Sequence, residues 1–228
     1  MEQIIATFIA TFHWLTDAGH WTGDSGILQR IAEHGWYVSV SIVIATLIGV
    51  PAGIYLGYRP RIAFWFINLF NAGRAIPSLG LILLFILLIG FTDLPVFIAL
   101  IAMSLPPIVT NTYAGIYHAD KQLCDAARAM GMTGWQSLTG LRLPLAMPLI
   151  FSGFRTALLQ LIATAVIAAY AGAGGLGRFL IDGLGQQDVP QIISGALIVS
   201  VLAIVCDLLL LVLRRRLFRH SPGYSAQP

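Results

Sequence analysis

Asp120-Lys-Gln-Leu-Cys-Asp-Ala-Ala-Arg-Ala-Met-Gly131, continued by Met132-Thr-Gly-Trp-Gln-Ser-Leu-Thr-Gly-Leu-Arg-Leu-Pro144, is the longest polar-flanked segment between apolar stretches of this chain. Its punctuation is helical. Asp120 can accept from the free N–H groups of a first helical turn starting near Lys121, and Gly131 suits the left-handed residue that ends such a helix. Thr133 and Gln136 have the Thr-x-x-Gln spacing of a capping box, and Pro144 fits the first turn of the helix that follows. Two short helices at an angle are predicted, the second weakened by Gly134 and Gly140. Leu123, Ala126, Ala127 and Met130 would share one face of the first at three- and four-residue spacing. An amphipathic loop lying on lipid headgroups fits the same periodicity.

The surroundings of this segment are membrane. Of 228 residues, 57% are hydrophobic and 10% are charged, against about 25% charged in soluble domains. Mean hydropathy is +0.83. So few charges cannot solvate a globule of this size, and lipid must be the solvent. No enzyme-sized soluble domain is left once the apolar segments are set aside. The two cysteines, Cys124 and Cys206, read as buried or bland thiols rather than a disulfide framework. Met1-Glu-Gln-Ile-Ile-Ala-Thr-Phe8 has neither a basic start nor a small-residue cleavage site and is not expected to be a cleavable signal.

A spanning helix needs about 20 apolar residues. Trp36–Gly57, Pro95–Tyr117, Pro144–Tyr170 and Pro190–Leu213 qualify. A fifth stretch, Ile62–Phe91, is interrupted by Asn71-Ala-Gly-Arg-Ala-Ile-Pro77 and reads as one broken or strongly kinked span, in preference to two half-helices. Ile4–Leu15 is too short to span and is expected at the interface or as an external helix. The chain is therefore an all-α polytopic protein of about five spans. Residues 1–35 would form an extracytoplasmic or interfacial segment, 36–213 the membrane domain with its loop at 120–143, and 214–228 a basic tail.

Lysine and arginine bias orients the chain. With five crossings, Arg59, Arg61, Lys121, Arg128, Arg142, Arg214, Arg215, Arg216 and Arg219 fall on one side. The opposite side holds Arg30 and Arg178 among seven acidic residues, while Arg74 and Arg155 lie within spans. The positive side is expected to be cytoplasmic, with the N-terminus outside and the C-terminus inside.

Asp125-Ala-Ala, three residues, Gly131, nine residues, Leu141-x-Leu143-Pro144 resembles the Glu-Ala-Ala signature of permease subunits of ATP-binding-cassette importers. Aspartate stands for glutamate at 125 and leucine for isoleucine at 141, with the spacing kept. The resemblance implies a type I importer (MetI-like) permease fold in a bacterial-type inner membrane. It also implies that Asp125, Ala126, Ala127, Gly131, Leu141, Leu143 and Pro144 belong to a coupling element that docks on a cytoplasmic ATPase. Lys121 and Arg128 read as solvated cations, since exposed pairs contribute little.

Further stretches, among them Arg74-Ala-Ile-Pro-Ser-Leu79, Leu105-Pro-Pro-Ile-Val-Thr-Asn111 and Gly172-Ala-Gly-Gly-Leu-Gly177, are similar to osmoprotectant permeases, which import glycine betaine, carnitine, choline and related quaternary amines. That likeness implies these partners: a dimer of cytoplasmic ATP-binding subunits, a second permease subunit (identical or different), an extracytoplasmic substrate-binding protein, and membrane lipid. No nucleic acid and no cofactor are expected, and ATP hydrolysis would belong to the partner, so the chain is not expected to be an enzyme. In the family, solute selectivity lies largely in the binding protein's aromatic cage; Trp36, Tyr37 and Tyr170 read here as interfacial anchors. The alternatives are a methionine-type or other amino-acid importer and, from another class, a stand-alone secondary transporter, which few intramembrane carboxylates support.

Ionisable residues inside spans normally face protein or water. Arg155 lies about 16 Å of helix beyond Pro144, and Asp207 about 10 Å before the arginine cluster, so an Arg155–Asp207 pair between the last two spans is a candidate. Arg74, Pro77 and Ser78, where a charge and a helix break coincide, are candidates for the translocation path or a gate. Asn111 joins them as a polar residue within a span, with helix-to-helix glue as its other reading. Ala171-Gly-Ala-Gly-Gly-Leu-Gly177 looks like a phosphate loop but has no preceding strand. It reads as a flexible or re-entrant turn, with Gly183 and Gly185 as further breaks.

Overall fold

A computed structural model describes residues 1–73 and 76–218; Arg74 and Arg219 lie outside the described residues. The described chain folds as ten α-helices: α1 Glu2–Thr16, α2 Ile27–Gly57, α3 Pro60–Gly73, α4 Ser78–Ile89, α5 Leu94–Tyr117, α6 Lys121–Ala129, α7 Gly134–Ser137, α8 Leu143–Ala165, α9 Gly177–Gln186 and α10 Val189–Leu217. In hydrocarbon each backbone N–H and C=O must find its partner within the protein, and the helix meets that need residue by residue. Among the described residues, four helical stretches are long and apolar enough to cross a bilayer: Ile27–Gly57, Leu94–Tyr117, Gly134–Ala171 and Val189–Leu217. The 31 residues of α2 extend about 46 Å, past a hydrocarbon core of about 30 Å.

Four expectations change. The first long helix begins at Ile27 rather than Trp36, so it absorbs part of the segment assigned to the terminus. The broken stretch consists of two separate helices, α3 of 14 and α4 of 12 residues. Pro77 stands directly before α4, and the Leu81 N–H reaches its carbonyl at 3.0 Å, so the proline starts a helix instead of kinking one. Gly183 and Gly185 do not break the chain but lie inside α9. A side chain at Gly183 would collide with Ile192 and the Asp188 carbonyl, so the missing Cβ lets α9 close on the start of α10. The glycine-rich stretch before α9 is packed, with Ala171, Ala173, Gly175, Leu176 and Gly177 all buried. It is not a loose turn.

The chain divides into two compact units. One comprises residues 1–41, 76–101 and 159–206. Its core is Ile27, Leu176 and Phe179, surrounded by Trp14, Ile31, Leu180, Ile198, Val199 and Leu202. Trp14 of α1 meets Phe179 of α9 edge to face at 5.5 Å, which fastens the N-terminal helix to the unit. The rest of α1 presents Ile4, Ile5, Phe8, Ile9 and Phe12 outward, as a helix in contact with lipid does.

The other unit comprises 42–75, 102–158 and 207–228. Here Gly49, Gly53 and Gly57 of α2 repeat every fourth residue and face Ile108, Thr112 and Ile116 of α5. A Cβ on Gly53 would stand 2.5 Å from the Thr112 Cβ, and one on Gly57 2.5 Å from the Ile116 Cγ2. Gly115 of α5 faces Ala146 of α8 in the same way, and Gly153 of α8 faces Pro107 and Asn111. Small residues replace a hydrophobic driving force in lipid by letting helix backbones approach. Pro106 and Pro107 lie inside α5 and Pro148 inside α8.

Candidate functional site

The segment 120–144 is built by its own capping chemistry. Asp120 Oδ1 accepts from the Gln122 N–H at 2.8 Å and the Leu123 N–H at 3.4 Å, opening α6. At the far end the Gly131 N–H donates to the Arg128 carbonyl (2.9 Å) and the Met132 N–H to the Ala127 carbonyl (3.1 Å). That pair of bonds is a Schellman closure. It requires the left-handed backbone seen at Gly131, φ +84°. Thr133 and Gln136 then form the reciprocal capping box: the Gln136 N–H to Thr133 Oγ1 at 3.3 Å, and the Thr133 N–H to Gln136 Oε1 at 2.8 Å.

The second helix differs from expectation. α7 has four residues and passes through a π-helical turn, Leu138–Arg142, directly into α8. Pro144 lies in the first turn of α8, as expected, although the preceding turn runs into that helix without a break. A π turn re-routes backbone partners, here with the Leu143 N–H reaching back to the Leu138 carbonyl, and such turns often mark functional sites. Arg142 lies over the Tyr58 ring, 4.9 Å from its centroid, and ties this turn to the end of α2.

The face of α6 also differs. Cys124 and Ala127 are buried, whereas Leu123, Ala126 and Met130 point outward. With Met132 and Trp135, the last 73% exposed, they make an apolar outer surface on a polar segment. Asp125 and Arg128 pair loosely at 3.6 Å, both well exposed, so neither is committed to the fold. Leu143 packs with Leu138 against Ile116, Ala146 and Ile150; Leu141 is half-buried and Pro144 exposed.

Of the intramembrane candidates, Arg155 and Asp207 are brought together. Arg155 Nε donates to Asp207 Oδ1 at 2.6 Å and Nη2 to Oδ2 at 2.9 Å. Phe151 of α8 and Phe218, just past the end of α10, meet edge to face at 5.8 Å. Asn111 turns its amide back on the Pro107 carbonyl of its own helix at 2.8 Å and lies on the seam with Gly153, the placement of a packing residue. Pro77 is exposed and Ser78 half-buried.

Residues 49–219 match the binding-protein-dependent transport system inner membrane component family. The chain belongs to it. The permease is 35% identical over 195 residues to the glycine betaine/carnitine/choline transport system permease protein OpuCB of Bacillus subtilis, covering 86% of this chain and 90% of that one. It is 38% identical over 192 residues to the osmoprotectant import permease protein OsmY of Salmonella typhimurium, covering 83% and 81%. Its fold resembles that in an inward-facing structure of the MetNI methionine ABC transporter, with TM-score 0.71 and 21% identity over 83% of this chain and 94% of that one. The permease is thus a multi-pass inner-membrane component of an importer.

Three features of the permease escaped the sequence reading. Glu33 of α2 accepts the Gly175 N–H at 2.7 Å and pairs with Arg30 at 2.8 Å, holding the glycine-rich stretch against the start of α2. A Cβ at Gly174 would run into the Glu33 carboxylate and push it from its place between Arg30 and Gly175. Tyr37 is buried, not an interfacial anchor, and donates to Asp93 Oδ1 at 2.9 Å; Trp36 and Tyr170 stay exposed. The third is the Gly49/Gly53/Gly57 ladder, whose four-residue spacing was a readable signal of close helix packing. Glu33 offered no comparable signal, since its partner lies 142 positions away.

Proposed function

We propose that this permease imports osmoprotectants of the quaternary-amine class, such as glycine betaine, carnitine or choline. It works as one of two permease subunits, with a pair of cytoplasmic ATP-binding subunits and an extracytoplasmic substrate-binding protein. The observation that carries this reading is the 35% identity across 86% of the chain with a permease named for those solutes. A methionine-type solute rests only on fold likeness at 21% identity, which speaks to architecture.

ATP is hydrolysed in the partner, and this chain converts the partner's motion into helix displacement. In this reading the N-terminus is outside and α6 faces the cytoplasm, as the charge bias requires. Leu123, Met130 and Trp135 seat in the ATPase surface around the small Ala126, while Asp125 and Arg128 at the rim fix register. Ala127 and Gly131 hold α6 in shape. Leu141, Leu143 and Pro144 then join the docked segment to α8 through the π turn, so a push on α6 travels along a continuous rod. Arg74, Pro77 and Ser78 are assigned to the path and its gating, where a helix break frees backbone groups to face a solute.

The test is reconstitution of the permease with its ATPase in proteoliposomes. Betaine uptake requires ATP and the binding protein together. Uptake driven by an ion gradient without ATP sinks this reading in favour of a secondary transporter.

A further inference from the structure

The two cations that charge bias places on the outer side of the membrane, Arg30 and Arg178, lie far apart in sequence yet line the same cavity of 210 Å³. Trp14, His20, Asp182 and Gln191 share its wall. All six residues belong to one unit. The volume holds about seven waters and falls below the roughly 300–1,000 Å³ of pockets for drug-sized ligands. An occupant is therefore a small solute.

The wall is chemically divided. Arg30 pairs with Glu33 at 2.8 Å and Arg178 with Asp182 at 3.1 Å, each within its own helix. A guanidinium carries five N–H donors, so these pairings leave donors for a further carboxylate, with charge-assisted bonds as the reward. Trp14 is held rigid: His20 stacks on it at 4.2 Å, and His20 Nδ1 lies 2.9 Å from the Trp14 carbonyl. His20 covers one indole face; the part of the indole that lines the cavity attracts a cationic ammonium group, and the Asp182 carboxylate supplies the matching charge.

We propose that this cavity is a binding site for a small zwitterion, with its carboxylate at Arg30 and Arg178 and its ammonium group at Trp14 and Asp182. The choice of betaine as that zwitterion rests on the function proposed above; the site's charge pattern does not. Occupancy has a structural consequence, because Glu33, the partner of Arg30, also holds the Gly175 N–H. A solute carboxylate on Arg30 thus engages the anchor of the glycine-rich stretch. The N-terminal helix, otherwise peripheral, acquires a role as one wall of a solute site.

The experiment is equilibrium binding of radiolabelled glycine betaine to the purified permease–ATPase complex in nanodiscs, without binding protein or nucleotide. Saturable binding is expected, weakened at least tenfold by Arg178→Gln and by Trp14→Leu, with Arg178→Lys retaining more than Arg178→Gln. Tetramethylammonium and acetate, each carrying one half of the charge pattern, should compete at least tenfold worse than unlabelled betaine. Complex yield and melting temperature of each variant must match the parent, and Gln191→Leu serves as a second probe should one fail to assemble. If methionine binds with the same dependence on Arg178 and Trp14 while betaine does not, the site stands and the osmoprotectant reading falls. If betaine is transported normally but neither zwitterion binds the complex, or binding ignores all three positions, the site is overturned.

Discussion

Arg155 of α8 and Asp207 of α10 form a two-pronged ion pair, 2.6 and 2.9 Å, with side chains 29% and 27% exposed. A guanidinium and a carboxylate matched in this way satisfy each other's hydrogen bonds where lipid offers none. Removing either partner leaves the other stranded, so Arg155→Leu or Asp207→Asn should lower the yield of assembled permease. The cost should fall below the about 3–5 kcal/mol of a fully buried pair, because both groups are partly exposed. Exchanging the residues, Arg155→Asp with Asp207→Arg, should recover part of the yield. Normal assembly and uptake in both single variants would remove the pair from the account.

Gly131 is predicted to control docking through backbone shape alone. Nothing lies within 4 Å of a Cβ built there, but φ is +84°, which costs an ordinary residue roughly 1–2 kcal/mol. Gly131→Val, a β-branched residue for which positive φ is a genuine outlier, should reduce recovery of the ATPase in co-purification while membrane insertion is unchanged. Undiminished recovery counts against the coupling role.

Trp135 separates docking from folding. At 73% exposure its replacement by alanine should shift the permease's own stability by no more than about 0.5 kcal/mol. Loss of an aromatic anchor at an interface typically costs about 2 kcal/mol or more, so ATPase affinity should fall at least tenfold. Titration of the ATPase onto permease nanodiscs reads both the affinity and the unchanged melting point.

Gly53→Ala tests the seam between α2 and α5. The added methyl meets the Thr112 Cβ and the Val109 carbonyl, and overpacking of this kind costs about 1–3 kcal/mol. A lower melting temperature in detergent is expected. The same change at Gly35, inside α2 with nothing within 4 Å, should not lower it, since alanine favours a helix interior over glycine.

Glu33→Ala should release the glycine-rich stretch. A hydrogen bond to a charged acceptor contributes about 1.5–3 kcal/mol, and here it holds Gly175. A cysteine placed at Ala173, buried while the stretch is held, should then react faster with a polar maleimide. An unchanged rate shows that packing of Leu176 and Gly177 holds the stretch without Glu33.

What the sequence disclosed follows from the range of the forces involved. Capping at Asp120, Gly131 and Thr133 acts over two to five residues, so its outcome could be read directly and matches the bonds seen. The Arg155–Asp207 pairing was readable because two charges inside apolar helices have few places to go. The outward turn of Leu123 and Met130 was not, since three- and four-residue spacing identifies a face but not what covers it, and Cys124 took the inner position instead. Gly183 and Gly185 misled because helix propensity is a weak prior that packing overrides. Tyr37 misled for a related reason: its partner, Asp93, is 56 residues away, beyond any local pattern.

The glycine ladder has a mechanical consequence. Where Gly49, Gly53 and Gly57 meet Ile108, Thr112 and Ile116, and Gly115 meets Ala146, glycine backbone lies directly against β-branched or alanine side chains, which have little rotamer freedom inside a helix. The parts of α2, α5 and α8 that meet within this unit therefore behave as a stiff casting rather than a cushioned joint. Strain applied through the Arg142–Tyr58 contact or the π turn is not absorbed by rotamer changes along these seams. It displaces the block whole, and compliance has to come from elsewhere in the chain.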